Sequence, residues 1–387
     1  MPTTVTSEPV LITAVTTFMQ RVGNRPRLLV RIDTDKGISG WGEAYNHGPD
    51  RALIPLIDYL FTFIKGEDAR RVEHLSTLLL RQSRFPPGAL GLAAISAIDH
   101  ALWDISAKAV NLPVYMLLGG NVRDRVAVYC GLYDAPEVDQ CLARAWQMHR
   151  EYGFTAFKLS PYRIAPHSNR WGKVCEELQS YFRQLRAAAP ADWEFAFDAH
   201  AQIYEPIKAA QLAAAITEFD PLFLEEPLRP EFISGWRDLR SKMTVPLATG
   251  ESLYSPNEFL DLLSAGGADI IQPDICVVGG LSQMRKIAAI ADAHFVPISP
   301  HNPMGPLATA HNVHFAAATT NFSILEYKPD TTTWCKDQYL PVGGHLELRP
   351  DVPGWGVTID EDALLEDDYV HWERGLPFRP DGSVAFA

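Results

Sequence analysis

Three short apolar runs in the middle of the chain each end in a carboxylate. The runs F-A-F-D, P-L-F-L-E and P-L-A-T-G-E end at Asp198, Glu225 and Glu251. Apolar runs of this length are typical of buried parallel strands. The spacings of 27 and 26 residues leave room for one helix and two short loops between strands. Three successive parallel strands would place these carboxylates at the same edge of one sheet.

The same alternation of strand and helix extends on both sides of these runs. Further strands are predicted at 126–130, 156–160, 270–274, 296–301 and 322–326, and helices at 136–152, 170–189 and 281–293. A repeating unit of about 25–30 residues is typical of a (β/α) barrel. An open doubly wound sheet is the alternative, but it gathers its polar residues at one switch point, whereas here polar residues end nearly every strand.

The first third of the chain has a different pattern. A strand is predicted at 10–20, a hairpin at 28–43 and helices at 50–64, 67–82 and 88–110. The last of these helices is apolar on more than one face, so we expect it to be buried and to join two domains. We expect an α+β domain at 1–125, a (β/α) barrel at 126–345 and a Pro- and Asp-rich segment at 346–387 that packs back on the first domain.

Bulk composition narrows the class of protein. The 387 residues exceed one ordinary core, and the net charge of −13 disfavours nucleic acid or an anionic membrane as partner. The five cysteines are scattered and include no C-x-x-C, which favours a reducing cytoplasm over a disulfide framework or a zinc knuckle. Neither a signal peptide nor an apolar run that could span a membrane is apparent, so we expect a cytoplasmic protein.

Polar residues at the predicted strand ends form a ring of candidate site residues. Besides the three carboxylates, which suit Mg²⁺, the strand ends carry Lys158, Ser160, His200, Asp274, His301 and Glu326. Asp274 and His301 lie on neighbouring strands, so the carboxylate can orient the imidazole and prepare it as a general base. Either histidine alone is as readily structural as catalytic, but membership of a ring with a metal triad favours catalysis for both.

Taken together, these residues resemble those of the enolase superfamily in its mandelate racemase-like branch. Glu-Glu-Pro at 225–227, Ile-Asp-His-Ala-Leu-Trp-Asp at 98–104 and the Leu-Gly-Gly that follows are similar to motifs of that branch, over nearly the full chain. The resemblance implies a modified (β/α)7β barrel with an N-terminal α+β capping domain. It also implies Mg²⁺ bound by Asp198, Glu225 and Glu251, removal of a proton α to a carboxylate, and a homo-oligomer.

One difference indicates the subgroup. Racemases of this branch carry Lys-x-Lys on the second barrel strand, whereas this chain has Lys158-Leu159-Ser160, and serine is not a useful base at neutral pH. Asp198-Ala199-His200 instead resembles the acid-sugar dehydratases that act on galactonate. The resemblance therefore implies a small acid-sugar substrate, most simply a galactonate-like aldonate of 2R configuration.

The resemblance also implies a role for each residue of the ring. His301, held by Asp274, would remove the C2 proton; Mg²⁺ and Lys158 would stabilise the enediolate, and Glu326, if protonated, would donate to the same oxygen. His200 would protonate the departing 3-hydroxyl, which gives a 2-keto-3-deoxy sugar acid. The alternatives are an acid-sugar epimerase or cycloisomerase, and a non-catalytic regulator that kept the fold. Loops near 20–26 and 45–50 are candidates for substrate choice.

Overall fold

The N-terminal part of the protein is a three-stranded antiparallel sheet followed by helices. The computed structural model describes residues 8–46, 48–133, 137–160, 170–372, 378 and 381–384. The first elements are β1 (Ile12–Val22), β2 (Arg25–Thr34), β3 (Ser39–Ala44), α1 (Leu53–Phe61), α2 (Val72–Arg81), α3 (Gly88–Ala109) and the short α4 (Val114–Leu117). β2 pairs with both β1 and β3, so the predicted strand, hairpin and three helices are confirmed.

The long helix α3 is buried along most of its length and lies directly on β3. Gly40 and Gly42 make this close approach possible. A Cβ atom at Gly40 would lie 2.0 Å from the main-chain oxygen of Ala101, and one at Gly42 would lie 1.9 Å from that of Ala97. Because real Cβ atoms do not approach this closely, only glycine fits at these two positions without moving the helix.

Strands and helices alternate through the rest of the described chain. The elements are β4 (Arg125–Gly131), α5 (Val138–Tyr152), β5 (Ala156–Leu159), α6 (Trp171–Ala188), β6 (Glu194–Asp198), α7 (Pro206–Ile216), β7 (Leu224–Glu225), α8 (Ile233–Arg240), β8 (Leu247–Thr249), α9 (Pro256–Ser264), β9 (Ile270–Ile271), α10 (Gly280–Ala293), α11 (Pro306–Ala318) and β10 (Leu325–Tyr327). The strands run parallel in the order β10-β4-β5-β6-β7-β8-β9.

One residue closes this sheet into a barrel. Ile298 forms parallel bridges to Ile271 on one side and to Phe322 on the other, and the chain then leads into β10, which pairs with β4. The strand predicted at 296–301 is therefore reduced to the one bridging residue Ile298, because Pro297 and Pro300 flank it and lack the N–H that a longer ladder needs. Within the described residues, eight strand positions alternate with seven helices, which confirms the modified (β/α)7β barrel.

The last part of the chain contacts both earlier parts. It contains β11 (Cys335–Lys336), β12 (His345–Glu347) and β13 (Thr358–Ile359), and β12 pairs antiparallel with β4. Gln20 donates from Nε2 to the Leu365 oxygen at 2.7 Å, and the Asp368 amide donates to the Met19 oxygen at 2.8 Å. The domain limits near 125 and 345 stay a prediction. Among the described helices, none is both long and apolar enough to cross a membrane.

Candidate active site

The predicted ring residues meet at the carboxyl ends of the barrel strands. Lys158 is in β5, and its Nζ lies 2.5 Å from a Glu225 oxygen, 3.2 Å from Glu326 and 3.6 Å from Asp198. His301 is near Glu251, at 3.3 Å, and Glu326, at 3.9 Å. These contacts, with those of His200, Ser160 and Asp274 below, join all nine residues of the predicted ring into one network.

Three carboxylates of this network have the arrangement of a cation site. Oxygens of Asp198, Glu225 and Glu251 all lie within 4.8 Å of one another, so one hard divalent cation could contact all three carboxylates. Burial raises the pKa of Asp198 to about 6, with Lys158 opposing the increase and Glu251 adding to it. Asp198 and Glu225 are buried and Glu251 is half-buried, so the three carboxylates repel one another at this distance, and a bound divalent cation would relieve that repulsion. The residues therefore fit a hard divalent metal.

Asp274 and His301 form the predicted dyad. The two side chains are joined by a hydrogen bond of 2.9 Å between His301 Nδ1 and Asp274 Oδ2, and the Cys276 amide donates to Asp274 Oδ1 at 2.7 Å. Burial would lower the pKa of His301, but Glu251, the bond to Asp274 and Glu326 together raise it to about 10. A cation on Glu251 would reduce that residue's share of the increase. Asp274 thus fixes the ring so that Nε2 faces the carboxylates.

Glu326 is an acceptor in this arrangement. It receives hydrogen bonds from the Asn302 amide at 3.0 Å and from the Tyr133 hydroxyl at 3.1 Å. Burial would raise the pKa of Glu326, but Lys158 and His301 hold it at about 2. Lys158 at 3.2 Å is a further donor to this carboxylate, and the role of Glu326 as a proton donor when it is protonated stays a prediction.

His200 lies beside the metal triad in a strained turn. It has φ +50°, and Ala201 after it has φ +55°, which is uncommon for residues with a side chain. Its amide donates to Asp198 Oδ1 at 2.8 Å, and its Nε2 lies 3.0 Å from Asp198 Oδ2. On the other side of the ring, Nδ1 lies 2.9 Å from Ser160 Oγ. The turn therefore directs the imidazole back toward the Asp198 carboxylate that precedes it.

The chain matches two family models that together cover most of its length. The model of the mandelate racemase / muconate lactonizing enzyme N-terminal domain matches residues 1–119, and the model described as enolase C-terminal domain-like matches residues 140–363. The chain belongs to the mandelate racemase / muconate lactonizing enzyme family of the enolase superfamily. The resemblance inferred from sequence and the prediction that the chain is an enzyme are confirmed. Enzymes of this superfamily bind a divalent metal.

Several relatives span nearly the whole chain. A D-galactonate dehydratase of Verminephrobacter eiseniae is 35% identical over 97% of this chain and 99% of its own, and one of Xanthomonas oryzae is 32% identical over the same shares. A crystal structure of an enolase from Agrobacterium radiobacter, described as a proposed galactarate dehydratase with bound Na and L-malate, is 57% identical. The match covers 97% of this chain and 100% of the Agrobacterium radiobacter chain, with a TM-score of 0.95.

Two tyrosines near this enolase-superfamily site were missed from the sequence. The Tyr133 ring lies 5.6 Å from the His200 ring between centroids, and Lys158 Nζ lies 5.9 Å from the Tyr133 centroid and 5.5 Å from that of Tyr129. Burial, and to a lesser extent the negative charge of Glu326, raises the pKa of Tyr133 well above its usual range. The Tyr133 side chain therefore keeps its proton and can donate a hydrogen bond. Its position just after β4 is the signal in the sequence, but a tyrosine there carries no charge that would mark it as a site residue.

A buried ion pair from the N-terminal sheet holds the loop that follows His301. Glu43 and Arg27 are fully buried and lie 3.5 Å apart. Glu43 accepts from the amides of Gly305 and Ala308, each at 2.9 Å, and Arg27 donates to the Pro303 oxygen at 2.9 Å. Glu43 therefore caps the N-terminus of α11, where its negative charge is favourable.

A cavity of about 680 Å³ opens beside the network. Part of its lining comes from the loop between β1 and β2, within the segment 20–26 that was predicted to take part in substrate choice. The second predicted segment, 45–50, includes His47, which lies outside the described residues. Glu326 and Tyr133 reach it from the barrel, and three cations also line it: Arg25, Arg144 and Lys328. Lys328 lies 2.7 Å from Asp330. The cavity thus combines the barrel site with positive charge from β2, from α5 and from the residue that follows β10.

Proposed function

We propose that this enzyme is a Mg²⁺-dependent sugar acid dehydratase that removes the C2 proton and the 3-hydroxyl of its substrate to give a 2-keto-3-deoxy sugar acid. The observation that carries the proposal is that two histidines, His301 and His200, flank one carboxylate triad while Ser160 stands where a racemase has its second lysine. Curated relatives that span nearly the full chain are D-galactonate dehydratases, which supports the same reaction class.

His301 is the proposed general base. Asp274 accepts the Nδ1 proton at 2.9 Å, so Nε2 is the nitrogen that can take the C2 proton, and the resulting imidazolium is stabilised by the dyad. Lys158 is buried among carboxylates, which raise its pKa well above the usual range against the effect of burial. It therefore stays charged and can attract the negative charge that the substrate carboxylate gains.

Asp198, Glu225 and Glu251 are the proposed metal ligands. When bound, Mg²⁺ supplies positive charge that holds the substrate carboxylate and makes the C2 proton more acidic. His200, next to Asp198, is the proposed acid that protonates the 3-hydroxyl as it leaves. Because Ser160 cannot act as a base on the opposite face of C2, loss of water rather than epimerisation is the favoured outcome.

The substrate can be either of two acid-sugar classes. An aldonate such as galactonate is the first candidate, since the curated relatives act on D-galactonate. An aldarate, with a carboxylate at each end, is the second, because Arg25, Arg144 and Lys328 line the cavity beside the site. The Agrobacterium radiobacter enolase, a proposed galactarate dehydratase that binds the diacid L-malate, supports this second candidate.

An assay on a panel of sugar acids tests the proposal. Purified protein with Mg²⁺ is incubated with galactonate, galactarate and their epimers, and 2-keto acid formation is measured as the semicarbazone, with His301→Asn as control. Product from one of the two classes identifies the substrate. Interconversion of epimers without loss of water would favour an epimerase, and the absence of both product and C2 hydrogen exchange on every substrate would refute the proposed reaction.

We further propose that the enzyme works in the cytoplasm as a homo-oligomer. All five cysteines are free, which is compatible with a reducing compartment. Sedimentation equilibrium would measure the oligomeric state, and a single species of monomer mass across micromolar concentrations would contradict this part of the proposal.

A further inference from the structure

We propose that Gln272 is a positioning residue for the metal ligand Glu225, and that it holds this carboxylate in the orientation in which it binds the divalent cation. This inference rests on the proposed function, in which Glu225 is one of three Mg²⁺ ligands, and adds a residue to the metal site. Gln272 is absent from the ring of candidate residues predicted from the sequence, although it lies two positions before Asp274.

The barrel sheet places Gln272 within reach of Glu225. Gln272 follows β9 directly, and its main-chain amide donates to the oxygen of Thr249 in β8 at 2.9 Å. Its side chain is fully buried and donates from Nε2 to Glu225 Oε2 at 2.7 Å. Since β8 lies between β7 and β9 in the sheet, this bond crosses an intervening strand, and long side chains from both outer strands are needed to close it.

Both oxygens of Glu225 are held in place. Lys158 Nζ lies 2.5 Å from Oε1, and Gln272 Nε2 holds Oε2. Because donors on two different oxygens fix the plane of the carboxylate, the group cannot turn without losing one of them. A carboxylate has about four lone-pair sites in all, so either oxygen can bind a cation while it keeps its donor.

The bond between Gln272 and Glu225 has one possible direction once a metal is bound. A carboxylate that ligates a cation is ionised and only accepts hydrogen bonds. Of the two ends of the Gln272 side-chain amide, only the NH₂ group can donate. The contact of Nε2 with Glu225 therefore suits the metal-bound state, in which the carboxylate has no proton to offer.

A neutral donor suits this position better than a charged one. Lys158 already brings one positive charge next to Glu225 and lies 3.6 Å from Asp198. A second cation at position 272 would compete with the metal for the same carboxylate, and a carboxylate at that position would repel Glu225. The amide group of glutamine orients the ligand without changing the charge of the triad. Hydrogen bonds of this kind to metal ligands typically contribute about tenfold to a hundredfold in metal affinity.

Two variants of Gln272 and one control test the inference. Gln272→Met keeps a side chain of similar length and removes the donor, whereas Gln272→Asn keeps the amide group but withdraws it by one C–C bond, about 1.5 Å. The matched control is Gln283→Met, because Gln283 in α10 is also a buried glutamine and its Nε2 has no hydrogen-bond partner among the described residues. Circular dichroism and the melting temperature in EDTA show whether each variant folds.

The first measurement is metal binding without substrate. Mg²⁺ is titrated by calorimetry, and Mn²⁺ by the EPR signal of the free ion. We expect both Gln272 variants to bind these metals about tenfold to a hundredfold more weakly than the wild type, and Gln283→Met to bind them with wild-type affinity. Unchanged affinity in Gln272→Met, or in Gln272→Asn should the first variant not fold, would overturn the inference. Equal weakening in Gln283→Met, or a wild type that binds neither metal, would overturn it as well.

Activity separates a role in metal binding from a role in the chemical step. The half-saturating Mg²⁺ concentration for dehydration by Gln272→Met should rise by the same factor as its dissociation constant, while kcat at saturating Mg²⁺ approaches the wild-type value. A lower plateau at an unchanged half-saturating concentration would mean that Gln272 acts on the reaction itself and would overturn the inference. If the wild type dehydrates no sugar acid but the metal affinities differ as expected, the proposed function fails and the role of Gln272 stands.

Discussion

Replacing Glu43 by glutamine tests whether the N-terminal sheet holds the catalytic base in place. The substitution keeps the shape of the side chain but removes a fully buried charge that faces Arg27 at 3.5 Å and accepts from two amides at 2.9 Å. The new amide group can accept from only one of those N–H groups and leaves Arg27 without its buried counter-charge. Breaking a buried pair on one side costs about 3–5 kcal/mol.

This cost can be converted to a melting temperature. An unfolding entropy of about 2.1 cal/mol/K per residue gives about 0.8 kcal/mol/K for a chain of 387 residues. We therefore expect calorimetry to show that Glu43→Gln lowers Tm by about 4–6 °C. Because the loop after His301 would shift, dehydration and C2 exchange should fall together by about tenfold to a hundredfold.

Glu73→Gln is the matched control. Like Glu43, Glu73 forms an ion pair with a residue of another element, Lys286 at 2.5 Å, but the Glu73 side chain is 59% exposed. The loss of stability in Glu73→Gln should therefore stay below about 1 kcal/mol. The reasoning would be refuted if the two variants lost equal stability. It would also be refuted if Glu43→Gln kept full C2 exchange, since the ion pair would then have no part in placing the base.

The remaining predictions concern the metal, pH and the two histidines. EDTA should abolish dehydration and Mg²⁺ should restore it, whereas amide variants of the triad should stay inactive with a native circular dichroism spectrum: Asp198→Asn, Glu225→Gln and Glu251→Gln. Burial lowers the pKa of His100 from 6.5 to about 3. The neutral ring therefore contributes its full stability above pH 6.5, and the free energy of unfolding falls by up to about 1.4 kcal/mol per pH unit as pH drops toward 3. Urea unfolding of His100→Leu should show a free energy that depends less on pH between 4 and 6 than that of the wild type. His301→Asn should stop both dehydration and C2 exchange, and NMR in D₂O should show that His200→Asn loses dehydration more than exchange; the reverse result would exchange the two roles.

Sequence reasoning found the barrel and the ring because both depend on local order along the chain. Asp198 and Glu225 each end a short apolar strand, and parallel strands bring such ends together whatever the loops do. Glu43 was not found because its partners lie 262 and 265 residues away, and no periodicity links such positions. The low pKa of Glu326 could not be predicted either, since it depends on Lys158 and His301, which meet the carboxylate only after folding.

The closure of the barrel through the one residue Ile298 has a consequence for the order in which the site can assemble. The proposed metal ligands come from β6 and the two strands that follow it along the chain, so they can meet as soon as those neighbours pair. His301, by contrast, follows the residue that joins the two ends of the sheet, so the base reaches its place only when the barrel closes. We expect pulse-labelling hydrogen exchange during refolding to protect the amides of Phe197 and Leu224 before that of Ile298; simultaneous protection would indicate that triad and base form in one step.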